Sequence, residues 1–128
     1  MDPVQPDPRP LSPEEAGVLD ALLAQDFPGV DELRVQSRNV LAQPSCGCGC
    51  GTIWLLPQGR DLPASAATSP VPAEGTVLDE YGRTIGGILL FVGEGQLADL
   101  EVHSYYEPLP MPSPDRVSWF LRDRGTAR

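Results

Sequence analysis

The chain contains no lysine, so its nine basic residues are all arginines, and they are outnumbered by 18 acidic residues. The formal net charge is −9 at pH 7. A field of that sign repels phosphate backbones, so we expect no binding to nucleic acid. The same charge favours basic protein partners, although solubility alone also accounts for it.

Long apolar runs are lacking as well. The longest, residues 88–92, is far shorter than the ~20 residues that cross a membrane. The opening residues MDPVQPDPRPLSPEE have neither the charged n-region nor the apolar h-region of a signal peptide. We therefore expect a cytoplasmic protein without a membrane partner, in which the thiols stay reduced.

The sequence also lacks a recognisable catalytic set. Its single histidine, His103, has no serine or cysteine motif beside it that would predict a nucleophile. Gly93 and Gly95 resemble part of a dinucleotide-binding turn, but no helix pattern follows them. Nothing in the sequence predicts an enzyme.

The length predicts one domain, and the prolines cluster towards its ends. Of the 15 prolines, five lie in residues 1–13 and four in residues 108–114. We expect residues 1–10 to be disordered, residues 11–121 to form the domain, and residues 122–128 to be a flexible basic C-terminus.

Helix signals are concentrated near the start of the chain. Ser12, Pro13 and Glu15 have the spacing of an N-cap, a first helical residue and the partner of a capping box. Leucines recur at helical spacing after them, which predicts a helix over residues 13–26. A second, short helix is predicted over residues 30–37.

The remainder of the chain predicts mainly strands. We expect strands over residues 39–43, 52–56, 76–79, 83–92 and 97–106, with a surface loop over residues 59–74. The paired glycines at 86 and 87 indicate a bulge or a close backbone approach, and residues 117–121 are predicted to cover a sheet edge.

The predicted fold class is α+β. It consists of an N-terminal helix packed on a small, mainly antiparallel sheet of about five strands, with a C-terminal β-meander. In the last of these strands Leu100 and Val102 should be buried, while Asp99, Glu101 and His103 face the other way.

A helix that ends in DFPG, a CGCGCGT turn, and the strands GGILLFV and LADLEVHSYYEP resemble a family of small uncharacterised bacterial proteins. The resemblance covers roughly residues 12–115, and the LEV-aromatic strand is its most distinctive part. We know of no activity assigned to that family, so the resemblance implies domain limits and carries no function.

The cysteines form one run, in which Cys46, Cys48 and Cys50 alternate with glycine. An extended backbone would place three sulfurs on one side, and a curled one could bring them to one ion. Thiolates suit zinc or copper, and His103 is the candidate for a fourth ligand. Against this, structural zinc sites use wider cysteine spacings, and a glycine-rich hairpin turn with small half-buried cysteines explains the same run.

Two functional hypotheses follow. The first is a small acidic, non-enzymatic binding protein that engages a protein partner through the sheet face of Glu101, His103 and Tyr105. An immunity-protein-like role, blocking a basic effector, would fit the charge. The alternative is a metal-binding protein that uses the thiolates of Cys46, Cys48 and Cys50.

Overall fold

The computed structural model describes residues 7–45 and 50–122. It has two α-helices, α1 (Pro13–Leu23) and α2 (Val30–Gln36). Short 3-10 turns follow α2 at Ser37–Asn39 and precede the last strand at Pro114–Arg116. The strands are β1 (Arg9–Pro10), β2 (Val40–Pro44), β3 (Ile53–Pro57), β4 (Ala73–Leu78), β5 (Thr84–Gly93), β6 (Gln96–Ser104) and β7 (Val117–Leu121).

All seven strands belong to one antiparallel sheet, in the spatial order β1-β2-β3-β6-β5-β4-β7. The α+β class is as predicted, but the sheet has two strands more than the five expected. The additional strands are the two edges, β1 and β7. The segment predicted to cover an edge does so as a strand, because residues 117–121 pair with β4 along their whole length.

Both ends of the domain extend further than the sequence predicted. Arg9 and Pro10 pair with β2 instead of being disordered, and the Arg9 guanidinium donates two hydrogen bonds to the Glu15 carboxylate, at 2.8 and 2.9 Å. At the other end, the Arg122 side chain donates to the carbonyl of Val71, at 2.7 Å, so Arg122 belongs to the folded domain. Residues 1–6 and 123–128, the rest of the two predicted tails, lie outside the described residues.

The capping box at the start of α1 is confirmed. The Glu15 N–H donates to the Ser12 hydroxyl at 3.1 Å, and the Ser12 N–H donates to the Glu15 carboxylate at 2.8 Å. The helix ends at Leu23, earlier than predicted. The Arg34 side chain of α2 donates to the Leu23 carbonyl at 2.7 Å, which satisfies an acceptor that a longer helix would have used internally.

The buried side chains of both helices and of the strands belong to one hydrophobic cluster. Its fully buried large members include Leu19, Leu22, Leu33, Ile88, Leu90 and Leu100. Among the residues described, no helix is long and apolar enough to cross a membrane.

A buried glutamine fixes α2 to the sheet and to the long loop before β4. The Gln36 amide donates to the carbonyls of Pro63 and Gly95, and its oxygen accepts the N–H of Leu97, all at 2.8 Å. Part of the predicted surface loop, residues 59–74, is therefore hydrogen-bonded to a buried side chain. Val71 lies in the same segment and is completely buried.

Candidate binding face of the sheet

Three central strands present a second face whose side chains alternate with the buried core residues. In β6 the buried Leu100 and Val102 alternate with half-buried polar residues, and β3 and β5 follow the same period of two. We call the resulting surface the open face; it carries Trp54, Leu89, Phe91, Asp99, Glu101 and His103.

The centre of the open face is a row of paired residues on neighbouring strands. Trp54 of β3 lies directly opposite Asp99 of β6, and Asp99 lies directly opposite Phe91 of β5. Directly opposed residues have Cβ atoms about 4.5–5.5 Å apart, so the carboxylate stands between an indole and a phenyl ring. A cavity of about 230 Å³ opens here, lined by Thr52, Trp54, Phe91, Asp99 and Glu101.

A second cavity adjoins the first because β3 and β6 are paired over only two residues each. Beyond Ile53 and Trp54 the two strands separate and leave an open cavity of about 450 Å³. Its wall is mostly apolar and includes residues 55–57 of β3 and 96–98 of β6. Trp54 and Asp99 line both cavities, so the two meet at this pair.

The charges on the sheet are unevenly matched. Its strands carry four carboxylate or guanidinium side chains, of Arg9, Glu74, Asp99 and Glu101. Arg9 pairs with Glu15 of α1, and Glu74 lies 2.6 Å from the Arg122 guanidinium. Asp99 and Glu101 have no hydrogen-bond or ion-pair partner among residues 7–45 and 50–122, so the unmatched charge of the sheet is negative and lies on the open face.

His103 lies at one end of the open face, where two glycines of β5 leave room for its ring and its carbonyl group. A Cβ on Gly87 would lie 2.5 Å from the His103 ring, and one on Gly86 would collide with the His103 carbonyl. The predicted close backbone approach at this glycine pair is confirmed, and the register of β4 against β5 shifts directly beside it, between the pairs Val77–Gly86 and Leu78–Thr84. The Tyr105 ring centroid is 5.8 Å from that of His103.

The structure brings together part of the residue set that was predicted to form a binding face. Glu101 and His103 do share a face with Asp99, and Tyr105 is exposed just after β6. Sequence reasoning did not find Trp54 or Phe91. The signal was present in β3, where Trp54 stands at the solvent position between the buried Ile53 and Leu55 and is 44% exposed.

The cysteine run lies between β2 and β3 in the chain. Pro44 and Ile53 are the residue pair of these two strands that lies nearest to it. Cys46 and Cys48 lie outside the described residues, and Cys50 is half-buried. In the part of the chain that is described, no three histidine, cysteine or acidic side chains are grouped to hold a metal. The proposed zinc or copper site with His103 as a fourth ligand stays a prediction, which elemental analysis of chelator-free protein and of Cys50→Ser would test.

No family model, curated protein sequence or solved structure matches this chain. The resemblance to a family of small bacterial proteins likewise stays a prediction. Arguments about function therefore rest on the geometry of the open face.

Proposed function

We propose that this chain is an acidic, non-enzymatic interaction domain that binds a basic protein through its open face. The observation that carries the proposal is the pair of carboxylates, Asp99 and Glu101, which are unmatched among the described residues and stand beside the exposed indole of Trp54. The helices contribute their buried side chains to the core cluster on the opposite side of the strands. We infer that they cover that side of the sheet and leave the open face to a partner.

The residue types of the open face support this proposal. Tryptophan and other aromatic residues are enriched at the centres of protein interfaces, where a few of them carry most of the binding energy. Trp54 and Phe91 flank the carboxylate of Asp99 in this way. The surrounding negative charge would steer a basic partner towards the face and raise the rate of association.

An immunity-protein-like role is one specific form of the same proposal. A small domain that blocks a basic effector needs a rigid acidic surface, and an antiparallel sheet supplies rigidity. The formal charge of −9 is consistent with such a partner. The proposal as a whole requires only that the partner be basic where it meets Asp99 and Glu101.

A quantitative pull-down from the native lysate tests the proposal with two matched variants. The first, Trp54→Ala with Asp99→Asn and Glu101→Gln, alters the open face. The second, Asp20→Asn with Glu80→Gln, removes the same number of charges from exposed positions on α1 and on the turn before β5. We expect one basic protein to bind the wild type and the second variant, to be lost from the first, and to bind less as salt is raised. Equal recovery by all three proteins, or no partner at any salt concentration, would contradict the proposal.

A further inference from the structure

The centre of the open face is locally unfavourable for folding. Asp99 and Glu101 point to the same side of β6 two residues apart, which places their Cα atoms about 7 Å from each other. Like charges at such spacing repel, and no described cation offsets them. A local arrangement that opposes stability without a compensating contact is typical of a binding site.

The chain contains one example of an aromatic ring and a carboxylate that together hold an arginine. In the turn between β4 and β5, the Arg83 guanidinium carbon lies 5.2 Å from the centre of the Tyr81 ring. The same guanidinium donates to the Asp79 carboxylate at 2.9 Å. An aromatic ring, a carboxylate and an arginine thus form one closed group at that turn, whereas Trp54 and Asp99 provide a ring and a carboxylate and lack the arginine.

We propose that the cavity of Trp54, Asp99 and Glu101 receives the side chain of one arginine, presented by an extended segment of the basic partner. This inference rests on the proposed function and names the chemistry of its site. A guanidinium is planar, so it stacks on the face of an indole while its N–H groups donate to carboxylates at its edge. A lysine ammonium is more strongly hydrated and cannot use the ring and two carboxylates in the same way.

The adjoining cavity between β3 and β6 would receive the residue next to the arginine in the partner's segment. Its apolar wall begins at Trp54 and Asp99 and continues along the separated parts of the two strands. A partner residue next to the arginine would contact this wall. We therefore expect an apolar neighbour of the arginine to strengthen binding.

Short peptides and the fluorescence of Trp54 test the inference. The variant Trp119→Phe leaves Trp54 as the single tryptophan, because the chain has two. In this background we would titrate the blocked peptide acetyl-Gly-Leu-Arg-Thr-Gly-amide and its lysine and citrulline versions. The arginine peptide should change the Trp54 emission in a saturable way and bind about tenfold more tightly than the lysine peptide. The neutral citrulline peptide should bind more weakly still.

Variants then locate the site. Asp99→Asn should weaken the arginine peptide by about tenfold or more, because one charge-assisted hydrogen bond is lost. Asp20→Asn, which removes an exposed charge from α1, should leave the affinity within about twofold at physiological salt, because Asp20 does not line the cavity and salt screens exposed charges. Unchanged thermal unfolding of both variants would show that neither effect arises from misfolding.

Three results would overturn the inference: no binding of the arginine peptide, equal binding of arginine and lysine peptides, or an Asp99→Asn affinity equal to that of the parent. If any of these occurs while the pull-down still depends on the open face, only the arginine site is wrong. If the pull-down also shows no dependence on that face, the proposed function fails with it.

Discussion

The two sides of the central strands differ in whether their polar side chains have hydrogen-bond partners. On the core side Gln36 is completely buried, and its amide makes three hydrogen bonds to backbone groups of the loop, the β5–β6 turn and β6. On the open face Asp99 and Glu101 are half-buried and have no partner among the described residues. The difference indicates that the polar side chain of Gln36 holds the fold together, whereas no described contact gives Asp99 and Glu101 such a role, and we propose that a ligand uses them.

Replacing Gln36 by leucine should produce the largest loss of stability. The change leaves the buried Leu97 N–H and the half-buried Pro63 carbonyl without that partner, whereas the Gly95 carbonyl still accepts the N–H of Ser65 at 2.8 Å. Each unsatisfied buried group costs about 1–3 kcal/mol. We expect the free energy of unfolding to fall by about 2–6 kcal/mol, measured by urea denaturation followed by circular dichroism. Gln58→Leu is the control, because the Gln58 side chain is exposed and donates to the nearby Leu56 carbonyl, two residues away in the chain. A loss for Gln36→Leu no larger than for Gln58→Leu would contradict the comparison.

Truncating one large apolar residue of the core and one of the open face should lower the stability by different amounts. Leu22 of α1 is 0% exposed and belongs to the core cluster, so Leu22→Ala should lower the free energy of unfolding by about 2–5 kcal/mol. Trp54→Ala removes a larger side chain but one that is already exposed, and its effect should be clearly smaller. Equal losses in the same denaturation assay would mean that Trp54 serves packing rather than binding.

These contrasts also show which parts of the molecule were predictable. The capping box of Ser12 and Glu15 and the alternation of Leu100 with Asp99 depend on residues a few positions apart, and both predictions are confirmed. Local signals of this kind act through hydrogen bonds and periodicity that do not require knowledge of the fold. They sufficed for the β6 half of the candidate site.

The other half depends on which strands are neighbours. Trp54 meets Asp99 only because β3 pairs with β6, and these strands are far apart in the chain. No residue pattern in β3 specifies that partner, since strand order is decided by the packing of the whole sheet. The edge strand β1 was missed for a related reason: it has only two residues, and the Arg9–Glu15 ion pair ties it to α1.

Low pH should reduce the stability of the fold through Glu15, at the start of α1. Burial raises the pKa of Glu15, but the hydrogen bonds from Arg9 and Ser12 outweigh it, so the pKa lies below its ordinary value. Stability from this lowered pKa is present above the unfolded value of about 4.3 and is lost as pH falls through the folded pKa. We expect denaturation midpoints to fall in that window, and to fall less in Glu15→Gln. An identical acid profile for both proteins would show that Glu15 does not contribute.

Removing the Ser12 hydroxyl should have a smaller effect. Ser12→Ala deletes the acceptor for the Glu15 N–H at the start of α1, and loss of such a cap costs about 1 kcal/mol. Ser12→Asp should retain most of the stability, because aspartate is also a good N-cap. If the alanine variant is as stable as the parent, the capping box contributes nothing measurable to the fold.

The smallest expected effect has the opposite sign and bears most directly on the open face. Asp99→Asn removes one of two like charges that have no described partner, and its amide keeps nearly the same shape. If Asp99 had a structural role, the change would be destabilising; if it is retained for a ligand, stability should stay within about 0.5 kcal/mol or rise slightly. Glu74→Gln is the matched control, because Glu74 lies in the same sheet but is paired with Arg122, so its loss should be destabilising. Denaturation of the two variants beside the wild type would decide the point, and a clear loss of stability in Asp99→Asn would contradict a binding role for the open face.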